Sequence, residues 1–299
     1  MWTPEFSNFV APARARPQGW RLVVGMAVIA AAYVLTFVLV VVAMTLVMGP
    51  AEGMAYLALI EDGGTPTLIT LLLAMFAGPL VAAMVMARLL HRRAASTLFG
   101  PGLLRGFGLG VTVAVLTYIA VSLLLPAPFE LVPNLEMSVF LSFLPVAIVA
   151  LLIQTGAEEV VFRGYMQQQL AARWQSPWVW MVFPSVCFGL LHGDPTGGID
   201  RLWLMIPPTL FGLVAADLTR VTGSIGVAWG LHFANNASAI LFTALAGNLS
   251  GLALYRTPFG DEALSLSNPL VWQEMMITVI LWAVARLWLA RGQRGSTAG

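Results

Sequence analysis

The chain has 299 residues, of which 59% are hydrophobic and only 10% are charged, and its formal net charge is +1. Soluble domains usually carry about 25% charged residues, so the composition excludes an ordinary soluble protein and indicates an integral membrane protein. A single cysteine excludes an internal disulfide, and the lack of any basic, aromatic-rich stripe argues against a nucleic-acid partner.

Eight apolar stretches approach or exceed the length of about 20 residues that crosses a bilayer. In chain order they cover 20–48, 66–90, 105–125, 138–162, 177–193, 202–219, 223–246 and 269–290. The first is far longer than the apolar region of a signal peptide, which has about 7–15 residues, so we predict that it is a retained span. The fifth and sixth stretches contain prolines and are short. The predicted fold is therefore an all-α bundle of about eight transmembrane helices.

The charges in the loops predict the orientation of these spans. Arginine is concentrated before the first span and after the second, fourth, sixth and eighth, whereas the other loops carry mainly Asp and Glu. Because positive charge stays on the cytoplasmic side, both termini are predicted to be cytoplasmic. The predicted segments are a cytoplasmic N-terminal segment (1–19), one transmembrane domain (20–290) and a cytoplasmic tail (291–299). The longest outside loop, 247–268, is expected to be ordered or partly helical.

A small set of polar side chains remains at membrane depth, where a charged group costs at least ~2.5–3.5 kcal/mol and is a functional candidate. These residues are Gln154, Glu158, Glu159, Arg163, His192, His232, Asn235 and Asn236. The third histidine, His91, follows a span in a basic loop and is predicted to be a surface residue. The polar chemistry of the membrane region is thus concentrated in the second half of the chain.

Helical spacing separates the three charges in "GAEEVVFRGY". Glu159 and Arg163 are four residues apart on one helix face, with the acid first, so we predict an ion pair that supports the site. Glu158 has no such partner in its own helix. Glu158 and His192 both lie 17 residues from Gln175, or about 25 Å along regular helices, so we predict that they face each other across a water molecule.

Two further pairs share a helix face. His232 and Asn236 are four residues apart in "HFANN", as are Phe188 and His192 in "FGLLH". Phe188 is expected to pack beside the site and to form part of its wall. A carboxylate, two imidazoles and a carboxamide are therefore expected to converge in one cavity.

These groups support more than one chemistry. Glu158 and His192 can activate a water molecule, while His232 and Asn236 can donate hydrogen bonds to a developing oxyanion. Glu158, His192 and His232 are also a two-histidine, one-carboxylate set suited to zinc. Buried carboxylates and histidines likewise build proton relays, so a transporter or another non-catalytic membrane protein is the alternative. Transporters usually show inverted repeats, and the sequence shows none.

Three motifs in this region resemble those of a known family. "EEVVFR" (158–163), "FGLLH" (188–192) and "HFANN" (232–236) resemble the EExxxR, FxxxH and HxxxN motifs of the CAAX-protease and bacteriocin-processing (CPBP, or Abi) intramembrane endopeptidases. The resemblance covers about 155–240 and places the catalytic core at about 138–246. It implies a bundle of eight helices and proteolysis near the cytosolic side of the membrane.

The resemblance also implies roles for these residues. Glu158 and His192 are expected to activate water, with His232 and Asn236 as the oxyanion site and Glu159 and Arg163 in support. A metal-free, glutamate-dependent mechanism is favoured over a zinc-dependent one. The exclusive use of arginine and the short loops favour a bacterial cytoplasmic membrane. The expected substrate is then a membrane-associated peptide or protein rather than a prenylated CAAX protein.

Overall fold

The computed structural model describes residues 2–125, 127–193, 203–247 and 249–296. The α-helices are α1 (Pro4–Val10), α2 (Gly19–Met48), α3 (Pro50–Ala58), α4 (Pro66–Ala74), α5 (Ala77–Leu89), α6 (Leu103–Leu124), α7 (Met137–Glu159), α8 (Gln168–Arg173), α9 (Phe183–Leu190), α10 (Ile206–Thr222), α11 (Gly226–Ala237) and α12 (Pro269–Ser296). Wider π-helical segments cover Val160–Gln167, Trp178–Val182 and Ser238–Phe242. The short strands are β1 (Val132–Pro133), β2 (Thr243–Ala246) and β3 (Tyr255–Gly260).

The structure confirms a polytopic helical membrane protein. Within the described ranges, six helical segments are long and apolar enough to cross a bilayer: Gly19–Met48, Pro66–Leu89, Ala95–Leu124, Met137–Arg173, Trp203–Thr222 and Pro269–Arg291. The predicted fifth span appears as the shorter apolar helix Trp178–Leu190. The predicted start of the sixth span, residue 202, lies outside the described residues. The number of spans, the cytoplasmic termini and the division into segments stay predictions.

A small sheet joins loops that are far apart in sequence. Strand β3 pairs antiparallel with β1, placing Val132 opposite Arg256, and pairs parallel with β2. The predicted seventh span, 223–246, therefore does not stay helical to its end, because its last residues extend as β2. In the described part of the loop 247–268, which leaves out residue 248, the regular structure is strand β3 and short 3-10 turns.

Helices α6 and α11 pack with their backbones in close contact. Each carries two glycines four residues apart: Gly106, Gly110, Gly226 and Gly230. A Cβ atom on Gly230 would lie 2.1 Å from the carbonyl oxygen of Phe107, and one on Gly110 would lie 2.4 Å from that of Val227. Small residues at this spacing let membrane helices approach closely. The approach fixes the position of α11, which carries two of the predicted site residues.

The N-terminal helix α1 belongs to the packed core. Phe6 and Phe9 are buried, and the Phe6 ring lies 4.8 Å from the ring of Trp180, measured between centroids. The Thr3 hydroxyl donates a hydrogen bond to the carbonyl oxygen of Arg220 at 2.6 Å. The segment predicted as a cytoplasmic extension is thus folded against the helices that carry the motifs.

His91 is buried, so its assignment as a surface residue is wrong. Its Nδ1 atom donates to the carbonyl oxygen of Arg16 at 3.1 Å, and its Nε2 atom lies 2.8 Å from the Tyr165 hydroxyl. Burial lowers the pKa of His91 to about 4. Tyr165 follows Glu159 by six residues, so the acid lies about 9 Å along the helix from this contact. The polar cluster is therefore near the end of α5 that the loop charges assign to the cytosol.

Candidate active site

Glu159 and Arg163 form the ion pair expected from their spacing. Arg163 Nη1 lies 3.3 Å from Glu159 Oε1, and the two side chains are 2% and 0% exposed. Arg163 Nη2 also donates to the carbonyl oxygen of Gly212 at 3.4 Å, and its guanidinium carbon lies 4.8 Å from the Phe188 ring centroid. Glu159 ends α7, and the π-helical segment begins at the next residue, a local widening often found at functional sites.

His232 lies between the two adjacent acids. Its Nδ1 atom donates to Glu159 Oε1 at 2.8 Å, and its Nε2 atom lies 3.3 Å from Glu158 Oε2. The sequence predicts His192 opposite Glu158, whereas the structure places His232 there. Spacing along one helix shows that Glu158 needs an outside partner, but it does not show which helix supplies that partner. A water-mediated approach of His192 stays a prediction.

His192 lies just beyond the end of α9 and is exposed. Its Nδ1 atom donates to the carbonyl oxygen of Phe188 at 2.8 Å. A carbonyl oxygen only accepts hydrogen bonds, so Nδ1 carries the proton and the neutral ring keeps a free electron pair on Nε2. The backbone thus selects the tautomer that a general base requires.

Phe188 connects the histidines of α9 and α11. Its side chain is 2% exposed, and its ring centroid lies 4.5 Å from that of His192 and 5.8 Å from that of His232. Phe162 packs against the same ring at 5.2 Å. His192 follows Phe188 by one helical turn, and Glu158 precedes Phe162 by one turn.

A second polar contact joins α7 and α11 one turn away from the first. Asn236 Nδ2 donates to Gln154 Oε1 at 2.9 Å. Gln154 precedes Glu158 by four residues, and Asn236 follows His232 by four, so the two contacts lie on the same pair of helix faces. The sequence analysis included Gln154 among the polar residues but gave it no role, although its spacing from Glu158 was a usable signal.

Asp217 is a buried acid that the sequence analysis overlooked. It accepts hydrogen bonds from Trp282 Nε1 at 2.8 Å and Arg286 Nη1 at 2.5 Å, and Arg220 Nε donates to it at 3.0 Å. These contacts join α10 to α12, away from the Glu158 cluster. The sequence indicates this residue, because Asp217 is an acid inside the predicted sixth span, three residues before Arg220.

The cluster of Glu158, Glu159, Arg163 and His232, in which Glu158 is partly exposed at 12%, balances its charge when it holds one added proton. Glu158 and Glu159 contribute two negative charges if both are ionised, and Arg163 contributes one positive charge. A proton on His232, or on one carboxyl group, makes the set neutral. Uncompensated charge is costly at low dielectric, and one added proton removes the excess negative charge of the set. With the proton on His232, Glu158 is a free base and Nε2 is a hydrogen-bond donor.

The residues proposed as zinc ligands are not assembled for that purpose. Among the described residues, no three His, Cys, Asp or Glu side chains lie close enough to share a metal ion. Both ring nitrogens of His232 face carboxylates instead. As placed, Glu158, His192 and His232 therefore do not form a group of three ligands around one point.

Comparison with known proteins bears on the same region. Residues 140–238 match a family model described as "Rce1-like: Type II CAAX prenyl endopeptidase Rce1-like", and this range contains all three motifs. No curated protein and no solved structure matches the chain. Together with the apolar helices, an endopeptidase family indicates a peptidase that is a multi-pass integral membrane protein. Residues 140–238 are therefore similar to the Rce1-like family of type II CAAX prenyl endopeptidases, which lies within the CPBP group whose motifs the sequence resembles.

Proposed function

We propose that the protein is a metal-free intramembrane endopeptidase in which Glu158 is the general base. The observation that carries the proposal is the position of His232 between Glu158 and Glu159, within a buried cluster that is neutral when His232 holds a proton. That protonation state leaves Glu158 ionised and supplies a donor beside it. A base and a hydrogen-bond donor at one point are the two groups that water attack on an amide requires.

The reaction begins when Glu158 removes a proton from a water molecule whose oxygen attacks the peptide carbonyl carbon. The carbonyl oxygen becomes an oxyanion, to which His232 Nε2–H and an Asn236 N–H donate. Glu158 then returns the proton to the amide nitrogen, the C–N bond breaks, and a carboxylic acid and an amine are formed; the acid then transfers its proton to the amine. His192, held as the tautomer with a free Nε2, accepts a hydrogen bond from the attacking water and orients it.

Glu159 and Arg163 support these steps without contacting the substrate. Glu159 accepts from His232 Nδ1, which stabilises the imidazolium and aims Nε2. Arg163 in turn neutralises Glu159, so the proton on His232 remains available to the oxyanion. Removing a single oxyanion donor from an enzyme typically lowers kcat by about 10²–10³-fold.

The proposed substrate is a membrane-associated peptide or protein, and the proposed setting is a bacterial cytoplasmic membrane. The buried cluster lies about 9 Å along the helix from the His91–Tyr165 contact, so a substrate anchored in the bilayer has a short distance to reach it. The family description concerns prenyl endopeptidases. The experiment therefore tests whether cleavage requires a prenyl group on the substrate.

The test uses purified protein in lipid nanodiscs with two peptides that share a CAAX sequence, one farnesylated and one carrying a saturated acyl anchor. Mass spectrometry of the products gives the cleaved bond. We expect wild-type cleavage of the acylated peptide and no detectable cleavage by Glu158→Gln, with the same melting temperature for both proteins. Unchanged turnover in that variant would falsify the assignment of Glu158. A membrane proteome compared with and without active protein then identifies the natural substrate.

A further inference from the structure

A chain of side-chain hydrogen bonds runs from α6 through α11 to α7. The Tyr118 hydroxyl donates to Asn235 Oδ1 at 2.9 Å, and Asn235 Nδ2 donates to Asn236 Oδ1 at 3.5 Å. Asn236 Nδ2 then donates to Gln154 Oε1 at 2.9 Å. Each amide has its oxygen toward the tyrosine and its nitrogen toward α7, so the chain has one direction.

Gln154 is the last acceptor of this chain and is almost fully buried, at 6% exposure. The contact between Gln154 and Asn236 lies one helical turn from the contact between Glu158 and His232 on the same two helices. Burying an amide side chain without a hydrogen-bond partner is energetically unfavourable. Gln154 therefore requires a hydrogen-bond donor or acceptor on the helix that packs against it. That partner is Asn236.

We propose that Gln154 is a positioning residue that orients the carboxamide of Asn236; this inference rests on the function proposed above. The Gln154 oxygen takes one of the two N–H groups of Asn236. Asn236 Nδ2 is thereby held on the side of α7, next to the turn that carries Glu158. Its second N–H remains available to the oxyanion.

Orientation matters because a carboxamide has a donor end and an acceptor end of nearly equal size. If the Asn236 amide turned over, its oxygen would face the developing oxyanion and repel it. Without the Gln154 oxygen, the side-chain hydrogen bond among the described residues that still opposes that rotation is the 3.5 Å contact from Asn235. Gln154 therefore acts on the transition state through Asn236 and makes no contact of its own with the substrate.

A double-mutant cycle in nanodiscs tests the inference, with the peptide that the wild type cleaves as the probe. Gln154→Met keeps the length of the side chain and removes the acceptor. We expect it to lower kcat by about 10-fold with KM changed less than about twofold, while Asn236→Ala lowers kcat by about 100-fold. Because Gln154 acts through Asn236, the double variant should be no slower than Asn236→Ala alone.

Thr155→Val is the matched control. Thr155 is buried in the same turn and accepts from Trp229 Nε1 at 3.1 Å, so it joins the same two helices without touching His232 or Asn236. It should lower the melting temperature about as much as Gln154→Met and leave kcat within about twofold. Unchanged kcat in Gln154→Met, an equal loss in Thr155→Val, or additive losses in the cycle overturn the inference alone. No cleavage by wild-type protein overturns the proposed function as well.

Discussion

The ring of Phe188 lies between His192 and His232, with centroids 4.5 Å and 5.8 Å from the two imidazoles. Helices α9 and α11 thus present their histidines to one another across a single aromatic ring. The Arg163 guanidinium also packs against Phe188, with its carbon 4.8 Å from the ring centroid. One side chain therefore sets the relative positions of three polar groups.

Replacing Phe188 with leucine should lower kcat by roughly 10-fold, because small displacements of catalytic groups have large effects on rate. The peptide cleavage assay measures the change. Phe140→Leu is the control, since Phe140 is also buried but lies in a separate hydrophobic cluster. Equal losses of activity in the two variants would show that general packing, rather than the position of the histidines, is responsible.

The ion pair between Glu159 and Arg163 should show strong coupling in stability. Arg163→Met removes the cation that pairs with the buried Glu159, which should lower the free energy of unfolding by about 3–5 kcal/mol. Adding Glu159→Gln removes the stranded charge, so the double variant should be more stable than Arg163→Met alone. Unfolding in detergent, followed by circular dichroism, measures both. Both variants should be inactive, because His232 then lacks a carboxylate partner whose charge is balanced by Arg163. If the two substitutions destabilised the protein additively, the pairing would be contradicted.

The close approach of α6 and α11 predicts a position-specific effect of added methyl groups. Gly230→Ala places a Cβ 2.1 Å from the Phe107 carbonyl oxygen, so the helices must separate, at a cost of about 1–3 kcal/mol. Activity should fall too, because α11 carries His232. Gly108→Ala is the control, as a Cβ there meets no atom within 4 Å. Melting temperatures of the two variants measure the effect. An equal decrease in both would argue against close packing of α6 and α11 at Gly230.

The buried His91 predicts a loss of stability in mild acid. Burial lowers its pKa to about 4 in the folded protein, whereas an unfolded histidine titrates near about 6.5. The unfolded chain therefore binds a proton first, so the stabilisation is complete above about pH 6.5 and decreases as the pH falls towards 4. Melting temperatures measured from pH 7.5 to pH 4.5 test this. His91→Gln should flatten that part of the profile; an unaltered slope would assign the effect to another group.

Metal chelation separates the two mechanisms considered for the site. Turnover should survive prolonged treatment with 1,10-phenanthroline, because the proposed reaction activates water with Glu158 and uses no metal ion. Loss of activity that returns on addition of zinc would instead establish a metal-dependent reaction. Elemental analysis of the active preparation provides an independent check.

Local patterns in the sequence predicted local structure well. The four-residue spacing of Glu159 and Arg163 predicted their contact, because both partners lie on one helical segment. The partner of Glu158 depends on how α7 and α11 are aligned, which no single segment encodes. The glycine pairs in α6 and α11 carried part of that information and were not used. Loop charge likewise misplaced His91, because a charge count says nothing of how a loop folds beneath its neighbours.

The limits of the predicted spans have a similar physical origin. Hydropathy continues through 223–246, but the chain leaves the helix at Thr243 because its backbone pairs with Tyr255 in the sheet. Hydrogen bonds between strands distant in sequence thus override a locally apolar pattern. The main features of the membrane fold were predictable from composition, whereas the ends of its elements depended on tertiary contacts.

The docking of helix α1 also has a consequence for the order in which the protein folds. Thr3 and the carbonyl oxygen that it binds are 217 residues apart. At synthesis rates of about 5–20 residues per second, the acceptor appears about 10–45 s after the helix has left the ribosome. Phe6 also lacks its partner Trp180 for most of that interval, because Trp180 lies 174 residues further along the chain. Helix α1 is made well before its partners and is therefore among the last helices to reach its native contacts.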